Sequence, residues 1–159
     1  MIHFKTLLLL LLSLSLLSGC AHTLVPGTTI DDTDDNRQIM EVLKSFKTAL
    51  QNRNQEALLG LVSESYFEDM GTSDPTDDYG YDHLRNVIVP TSMKVAGKIM
   101  TNFNVHEIVV DEDKAYADIR YTSRARLDLP TGPLWDSHRE FNRMDLQLED
   151  GRWLITRGL

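Results

Sequence analysis

The sequence contains 159 residues, 25% of them charged and 42% in the hydrophobic class, with a formal net charge of −8 at pH 7. This length and composition are enough for one globular domain with one core, and they exclude a largely disordered chain. The negative charge argues against nucleic acid as a partner, because phosphate backbones are neutralised by Lys and Arg. The single cysteine excludes an internal disulfide and a thiolate metal cluster.

The N-terminus has the parts of a secretory signal peptide. A start that carries Lys5 is followed by an apolar stretch from Leu7 to Leu17 and then by small residues. This stretch is much shorter than the roughly 20 residues that span a bilayer as a helix, and it is typical of the centre of a signal peptide. Removal of the first twenty residues takes away Lys5 and no acidic residue, so the net charge becomes −9.

Residues 17–20, LSGC, resemble the lipobox of bacterial lipoproteins. The resemblance implies cleavage before Cys20 and attachment of acyl chains such as palmitate to Cys20. Because Ala21 follows instead of the Asp that usually retains lipoproteins in the inner membrane, it also implies a position on the periplasmic face of the outer membrane of a Gram-negative bacterium. Several acyl chains anchor a protein durably. The alternative is an ordinary signal peptide followed by a buried cysteine without lipid.

The chain therefore divides into three parts. Residues 1–19 are the predicted signal peptide, and residues 34–159 are the predicted folded domain. Between them, residues 20–33 contain Pro26, Gly27 and several Thr without sustained periodicity, which predicts a flexible tether after the lipidated cysteine.

Four acidic residues mark the start of the domain: Asp31, Asp32, Asp34 and Asp35. Carboxylates bind Ca²⁺, but the EF-hand spacing with its Gly and distal Glu is missing. We therefore interpret these residues as a cap that favours the positive N-terminal end of the following helix, and we expect no metal.

The first half of the domain has helical periodicity. Apolar residues recur at spacings of three and four from Asn36 to Asn52, which predicts an amphipathic helix. A shorter helix is predicted in NQEALLGLVS, residues 54–63. A third helix is predicted from about Tyr81 to Val89, limited by Pro90.

After residue 98 the period changes to two. Strands are predicted over residues 99–110, 115–127, 137–149 and 152–158, separated by the turns DEDK, PTGP and DG. Three successive hairpins form an antiparallel meander, and the helices are available to cover its apolar face. This order of elements predicts an α+β domain.

Residues 34–159 resemble the NTF2-like superfamily, also called SnoaL-like or ketosteroid-isomerase-like. The resemblance rests on the long first helix DDNRQIMEVLKSFKTALQNRN, the short second helix NQEALLGLVS, the segment YFEDMGTSD and the closing hairpin MDLQLEDGRWLITRGL. It implies a cone of three N-terminal helices on a curved antiparallel sheet of about four to six strands, whose open end is often a ligand pocket. Members include enzymes and proteins that only bind or dimerise, so this fold alone does not decide the function.

The strand alternation predicts which side chains face the helices. A two-residue turn at residues 150–151 places Met144 opposite Arg157. A turn at residues 112–113 places His106 opposite Ile119. One end of the covered face is then apolar, and the other end gathers seven polar or aromatic residues: Asn104, His106, Tyr121, His138, Glu140, Asn142 and Arg157.

An apolar interior with a few polar groups at its mouth is typical of a small-molecule site. A carboxylate near an imidazole also transfers protons in enzymes, so His138 and Glu140 are the candidate catalytic residues if the domain has an activity. The alternative is that these groups lie in water at the sheet edge and pair with each other.

The segment DPTDDYGYDHL, residues 74–84, is a second concentration of polar and aromatic residues. Tyr79 and Tyr81 are candidates for a lid over a ligand, and Asp82 with His83 and neighbouring acids for a metal site. We favour a helix cap with tyrosines packed on the core, because acids are common at helix starts. No metal and no cofactor are expected.

The outer face of the predicted sheet offers two further interpretations. Its apolar residues, Phe103, Val105, Val109 and Tyr116, predict a homodimer, since NTF2-like domains frequently dimerise through this side. Its basic residues, Arg120, Arg124 and Arg126, form a patch for an acidic partner or pair with Asp118 and Asp128, which is the usual outcome on a solvated face.

Three functions remain open on the sequence. The domain binds a small apolar ligand or an envelope protein without catalysis, it is a structural or dimerisation module of the envelope, or it is an isomerase, dehydratase or hydrolase. We favour the first.

Overall fold

The computed structural model describes residues 23–159, so the predicted signal peptide and Cys20 lie outside the described residues. The helical elements are α1 (Asp34–Asn52), α2 (Gln55–Leu59), α3 (Tyr81–His83), a π-helical turn (Leu84–Ile88) and α4 (Val89–Val95). The strands are β1 (Phe67–Glu68), β2 (Tyr79–Gly80), β3 (Ala96–Asp111), β4 (Lys114–Leu129), β5 (Gly132–Glu149) and β6 (Arg152–Arg157). Within residues 23–159, no helix has the length and apolar character needed to cross a membrane.

The four long strands form one antiparallel sheet in the order β3-β4-β5-β6, which confirms the predicted meander. β1 and β2 pair in a separate two-stranded sheet. The helices pack on one face of the large sheet, where Ile39 of α1, Ala117 of β4 and Ile155 of β6 are fully buried. We call this side the covered face and the opposite side the outer face. The α+β class is confirmed.

Helix α1 starts at a cap made by Thr33, whose hydroxyl oxygen accepts a hydrogen bond from the Asn36 N–H at 3.1 Å. The neighbouring acids have other roles: Asp35 accepts from the Trp153 indole at 3.2 Å, and Asp32 and Asp34 both pair with Arg37. Within residues 23–159 there is no group of three or more His, Cys, Asp or Glu arranged to hold a metal.

The described part of the predicted tether contains a turn. Leu24 and Asp31 form a β-bridge, and the Val25 N–H donates to the Ile30 carbonyl oxygen at 2.8 Å. Ile30 is buried, and the Asn36 amide donates to the Asp31 carbonyl oxygen at 2.9 Å. These contacts attach the turn to the first turn of α1.

The prediction that Pro90 limits the third helix was wrong. The chain stays helical to Val95, with Pro90 in the first turn of α4, where a missing N–H costs little. The preceding turn is a π-helix, and the Val89 N–H donates to the Leu84 carbonyl oxygen. This continuation carries Val89 and Met93 to the covered face, where both are buried.

The predicted pairing of β3 with β4 is correct from Glu107 to Asp111 and was wrong for the residues before a β-bulge. β3 shifts register between Val105 and Glu107, so Val105 pairs with Ile119 and Phe103 pairs with Tyr121. The extra residue reverses the alternation of the side chains. Phe103 and Val105 therefore belong to the covered face, and their assignment to the outer face was also wrong.

Gly158 is held where a side chain does not fit. Its φ is +91°, and a Cβ atom there would overlap the carbonyl oxygen of Arg143. Gly71 also has a positive φ, +67°, but a Cβ there would meet nothing within 4 Å.

We expect Gly71→Ala to lower the free energy of unfolding by about 1 kcal/mol, the cost of a left-handed backbone for Ala. Gly158→Ala should cost several times more, because the main chain beside Arg143 must also move. Denaturant unfolding of both variants measures this difference. Equal losses would contradict the described packing of residue 158.

Candidate functional site

A cavity of about 350 Å³ lies between the helices and the covered face of the sheet. The helices contribute most of its apolar wall, including Phe46 of α1, Leu58 of α2 and Met93 of α4. Ile119 and Met144 line it from the sheet. The polar groups of the lining are few: Ser92, Tyr121, Glu140, Asn142 and the main chain of Gly158 and Leu159.

Three of the polar side chains of the lining come from two neighbouring strands of the sheet. Tyr121 and Glu140 are directly opposite each other on β4 and β5, and Asn142 is the next residue of β5 on the same face. Ser92 and Glu140 are exposed, so they mark the mouth between α4 and β5. The structure thus places three of the seven residues predicted for the polar end, Tyr121, Glu140 and Asn142, on the covered face in the lining of the cavity.

Some of these groups have no polar partner in the protein. Within residues 23–159, the side-chain hydroxyls of Ser92 and Tyr121 and the carboxylate of Glu140 make no hydrogen bond or ion pair. The Tyr121 ring is nevertheless held in place, since its centroid lies 5.9 Å from that of Phe103, which in turn lies 5.8 Å from that of Phe46. The cavity therefore presents positioned polar groups that are free to bind a ligand.

The Asn142 side chain is already engaged. Its amide donates to the Gly158 carbonyl oxygen at 2.9 Å, which fixes the C-terminal segment against β5. The amide oxygen remains as an acceptor. Asn142 thus has a positioning role for the cavity wall.

A buried hydrogen-bond network holds the other side of this segment. The carboxylate of Glu68 accepts from the Gly158 N–H at 2.9 Å and from the Tyr66 hydroxyl at 3.1 Å. The Tyr66 oxygen accepts in turn from the Leu159 N–H at 3.2 Å. Burial raises the pKa of Tyr66, so its phenol stays protonated and able to donate to Glu68.

Arg157 does not reach the cavity, so its predicted position was wrong. A second irregularity places Asp145 opposite Arg157 and Leu146 opposite Ile155, which leaves one extra residue in β6. Arg157 turns to the other side and pairs with Glu68 at 3.8 Å and with Asp69 at 2.6 Å. It supports the network around the C-terminal segment.

Asn104 and His106 were also assigned to the wrong face. The bulge in β3 places Asn104 beside Arg120 on the outer face, and the His106 ring lies 5.5 Å from that of Phe141. Both residues are exposed. The missed signal is the spacing of three between Val105 and Ile108, which breaks the period of two.

The His138 side chain lies on the predicted face of the sheet, but it does not line the cavity. It pairs with Ser123 on the covered side of the sheet and is exposed, and its Nε2 lies 2.7 Å from Asp136. It makes no hydrogen bond to Glu140. The proposed pair of His138 and Glu140 is therefore not formed.

Tyr79 and Tyr81 do not close over the main cavity. Tyr79 packs between Tyr66 and His83, with ring centroids at 6.2 and 5.8 Å, and its hydroxyl lies 3.5 Å from a main-chain oxygen of Leu159. Both tyrosines border a separate open groove of about 640 Å³ together with Asp78, Asp82 and Arg85. Gly80 precedes α3 without a side-chain cap, so the predicted cap is wrong, but Asp82 lies in the first turn of α3, and both tyrosines pack against the core as predicted.

The sequence reasoning missed Ser92, Gly158 and Leu159 as lining residues. Ser92 lies in the part of the helix beyond Pro90. The four-residue spacing of Val89 and Met93 is the signal that this helix continues. Gly158 and Leu159 reach the cavity through tertiary hydrogen bonds, for which the sequence pattern holds no signal.

We expect Tyr66→Phe to lower the free energy of unfolding by about 1–3 kcal/mol, because it removes a hydrogen bond to buried Glu68 and leaves the Leu159 N–H unpaired. Tyr79→Phe is the comparison variant, since its hydroxyl makes a long contact with Leu159 and an interaction with the Tyr66 hydroxyl but none with Glu68, so its loss should cost less, about 1 kcal/mol or under. Thermal and denaturant unfolding measure both variants. A larger loss for Tyr79→Phe would contradict this network.

No protein-family model matches the sequence, and a comparison with curated proteins gives no match. Solved structures are similar in fold. A conserved protein from Planctomyces limnophilus has a TM-score of 0.66 at 15% identity, over 78% of this chain and 92% of that chain. A candidate dehydratase from the NTF2-like family of Streptomyces avermitilis has a TM-score of 0.62 at 15% identity, over 78% and 93%. A ketosteroid isomerase-like protein from Erwinia carotovora atroseptica has a TM-score of 0.62 at 16% identity, over 79% and 94%. The chain therefore has the NTF2-like fold.

Proposed function

We propose that this protein is a periplasmic lipoprotein, anchored to the outer membrane through Cys20, whose domain binds a small and mainly apolar molecule without transforming it. The observation that carries the binding function is the apolar cavity of about 350 Å³ with a few unpaired polar groups in its lining. The anchor and the location rest on the LSGC sequence and on Ala21.

The cavity suggests the chemistry of its ligand. Its volume is near the lower end of the roughly 300–1,000 Å³ that is usual for small-molecule sites. An apolar body fits against Phe46, Leu58 and Met93. One polar group of the ligand, such as a hydroxyl, would face Tyr121 and the exposed carboxylate of Glu140 at the mouth.

The lining favours binding over catalysis. Among the described residues that line the cavity, there is no histidine, and Glu140 has the only side-chain carboxylate. Glu140 is exposed at the mouth, whereas proton transfer at a bound substrate requires a titratable group within reach of the reacting atom.

Native mass spectrometry of residues 21–159 tests the proposal, because this lipid-free form contains every described element and needs no detergent that would fill the cavity. We expect protein purified from a bacterial periplasm to retain a small apolar molecule. Tyr121→Phe should weaken its retention by roughly tenfold, the effect of about one hydrogen bond.

Tyr116→Phe is the matched control, since it removes the same hydroxyl from the outer face and should leave retention unchanged. An empty cavity, together with no binding from a panel of apolar alcohols and ketones, would contradict the proposal. Equal effects of the two Tyr variants would exclude Tyr121 from the site.

A second function is favoured by one observation. Tyr121 and Glu140 lie opposite each other at the cavity, and a phenol beside a carboxylate is a suitable pair for acid–base chemistry. The names of the similar structures include an isomerase-like protein and a candidate dehydratase. We infer that an enzyme built on this cavity would use Glu140 as base and Tyr121 as hydrogen-bond donor.

Glu140→Gln separates the two functions. If the protein only binds, this variant should retain the ligand within about threefold of the wild type, because the amide keeps the shape of the carboxylate and can still accept a hydrogen bond. If the protein is an enzyme, the bound compound should change over time with the wild type and not with Glu140→Gln. Chromatography of the ligand before and after incubation measures the conversion.

A further inference from the structure

The outer face of the sheet carries a patch of arginines. Arg120 and Arg124 of β4 are separated by Thr122, which pairs with Arg139 of β5. Residues on adjacent strands of one face are close enough for long side chains to act together. We call Arg120, Arg124 and Arg139 the arginine patch.

The guanidinium groups of the patch have no carboxylate partner. Two other arginines flank the patch and are paired. Arg143 forms an ion pair with Asp118 at 2.7 Å, and Arg126 forms one with Asp128 at 3.0 Å. Within residues 23–159, none of the three patch arginines forms an ion pair or a side-chain hydrogen bond. The expectation that the basic residues pair with Asp118 and Asp128 therefore holds at Arg126 and not in the patch.

Aromatic rings hold two of these guanidinium groups in place. The Arg124 guanidinium carbon lies 4.6 Å from the centre of the Trp135 ring, and that of Arg120 lies 5.1 Å from the centre of the Phe141 ring. Stacking on a ring leaves the N–H edges of a guanidinium free, and these edges bind carboxylates in pairs. Phe141 is 73% exposed and Trp135 is 43% exposed, so apolar surface adjoins the free donors.

The charge of the protein makes this patch unusual. The full chain carries a net charge of −8, so most of its surface repels anionic partners. The patch reverses that sign locally, and the amide of Asn104 on β3 lies beside Arg120 as a further hydrogen-bonding group. The amide oxygen of Asn102, beside Thr122, already accepts from Lys47 at 3.4 Å, which leaves its N–H groups. Such a surface selects an anionic group and orients it.

Three other occupants fit this surface less well. A second copy docked face to face would bring its own arginine patch against this one. Stacked nucleic-acid bases would compete for Phe141 with Arg120 and with His106. A membrane is disfavoured because an extended anionic lipid surface would repel the rest of a chain whose net charge is −8, whereas a short acidic segment contacts only the patch.

We propose that the outer face binds an acidic segment of another protein. Its carboxylates pair with the arginine patch, and its apolar side chains lie against Phe141 and Trp135. This interaction goes beyond the proposed function, because it uses the opposite face of the sheet from the cavity.

The test uses the full chain in a neutral detergent and two synthetic peptides, one of alternating Glu and Ala and one of alternating Gln and Ala. The protein has two tryptophans, and Trp153 is buried, so the change in fluorescence reports mainly on Trp135. We expect the Glu peptide to shift the emission and bind in calorimetry, with affinity falling as salt rises. The Gln peptide should do neither.

The variant Arg120→Gln/Arg124→Gln/Arg139→Gln should weaken binding of the Glu peptide by about tenfold or more. The matched control, Lys44→Gln/Arg85→Gln/Lys94→Gln, removes the same charge from the helical elements and should leave the affinity within about twofold. Circular dichroism checks that both variants fold. Both triple variants should retain a cavity ligand as the wild type does. The result of this test is therefore independent of the result for the proposed function.

Absence of binding by the Glu peptide would overturn the proposal, and so would equal losses in the two triple variants. Vesicles of anionic phospholipid and single-stranded DNA are tested in the same way. If either binds more tightly than the Glu peptide and the patch variant abolishes that binding, the proposal is overturned in favour of that partner. If sedimentation shows a dimer of the wild type and a monomer of the patch variant, the proposal is overturned in favour of a second copy as the occupant.

Discussion

The bulge in β3 between Val105 and Glu107 determines which side chains reach the cavity. Because side chains alternate along a strand, one extra residue moves everything beyond it to the opposite face. Phe103 then packs between Phe46 and Tyr121 and holds the phenol at the cavity wall. Without the bulge, Asn104 and His106 would occupy that wall, and the cavity would be polar.

The bulge has an equal effect on the outer face. It places His106 against Phe141 and Asn104 beside Arg120. The same extra residue therefore makes one side of the sheet apolar enough to hold a small molecule and adds polar groups to the side that carries the arginine patch. The two proposed interactions share one backbone feature and use opposite faces.

The cavity also depends on the C-terminal segment. Gly158 and Leu159 form part of its wall only because Glu68, Tyr66 and Asn142 bind their main-chain groups. Buried polar groups of this kind must all be paired, since each unpaired one is costly. β1 and the residue before it are thus bound to the segment that follows β6, although these elements are distant in sequence.

The sequence alone determined the class of the fold and most of its elements. The spacing of Ile39, Leu43 and Phe46 is sufficient to identify α1, and the change of period after residue 98 is sufficient to identify the meander. Tyr121, Glu140 and Asn142 were predictable as cavity residues, because β4 and β5 pair without a shift between Lys114 and Leu129. The LSGC sequence is likewise the whole basis for the predicted anchor.

The tertiary structure decided what periodicity cannot express. The irregularities in β3 and β6 moved Asn104, His106 and Arg157 away from the predicted site, and the helix beyond Pro90 brought Ser92 to it. Local patterns report which residues prefer burial, whereas register shifts and buried hydrogen bonds depend on which partner strand or carboxylate the folded chain brings close. That dependence on distant partners is why the contributions of Ser92, Gly158 and Leu159 to the cavity and the unpaired arginines became visible only in the fold.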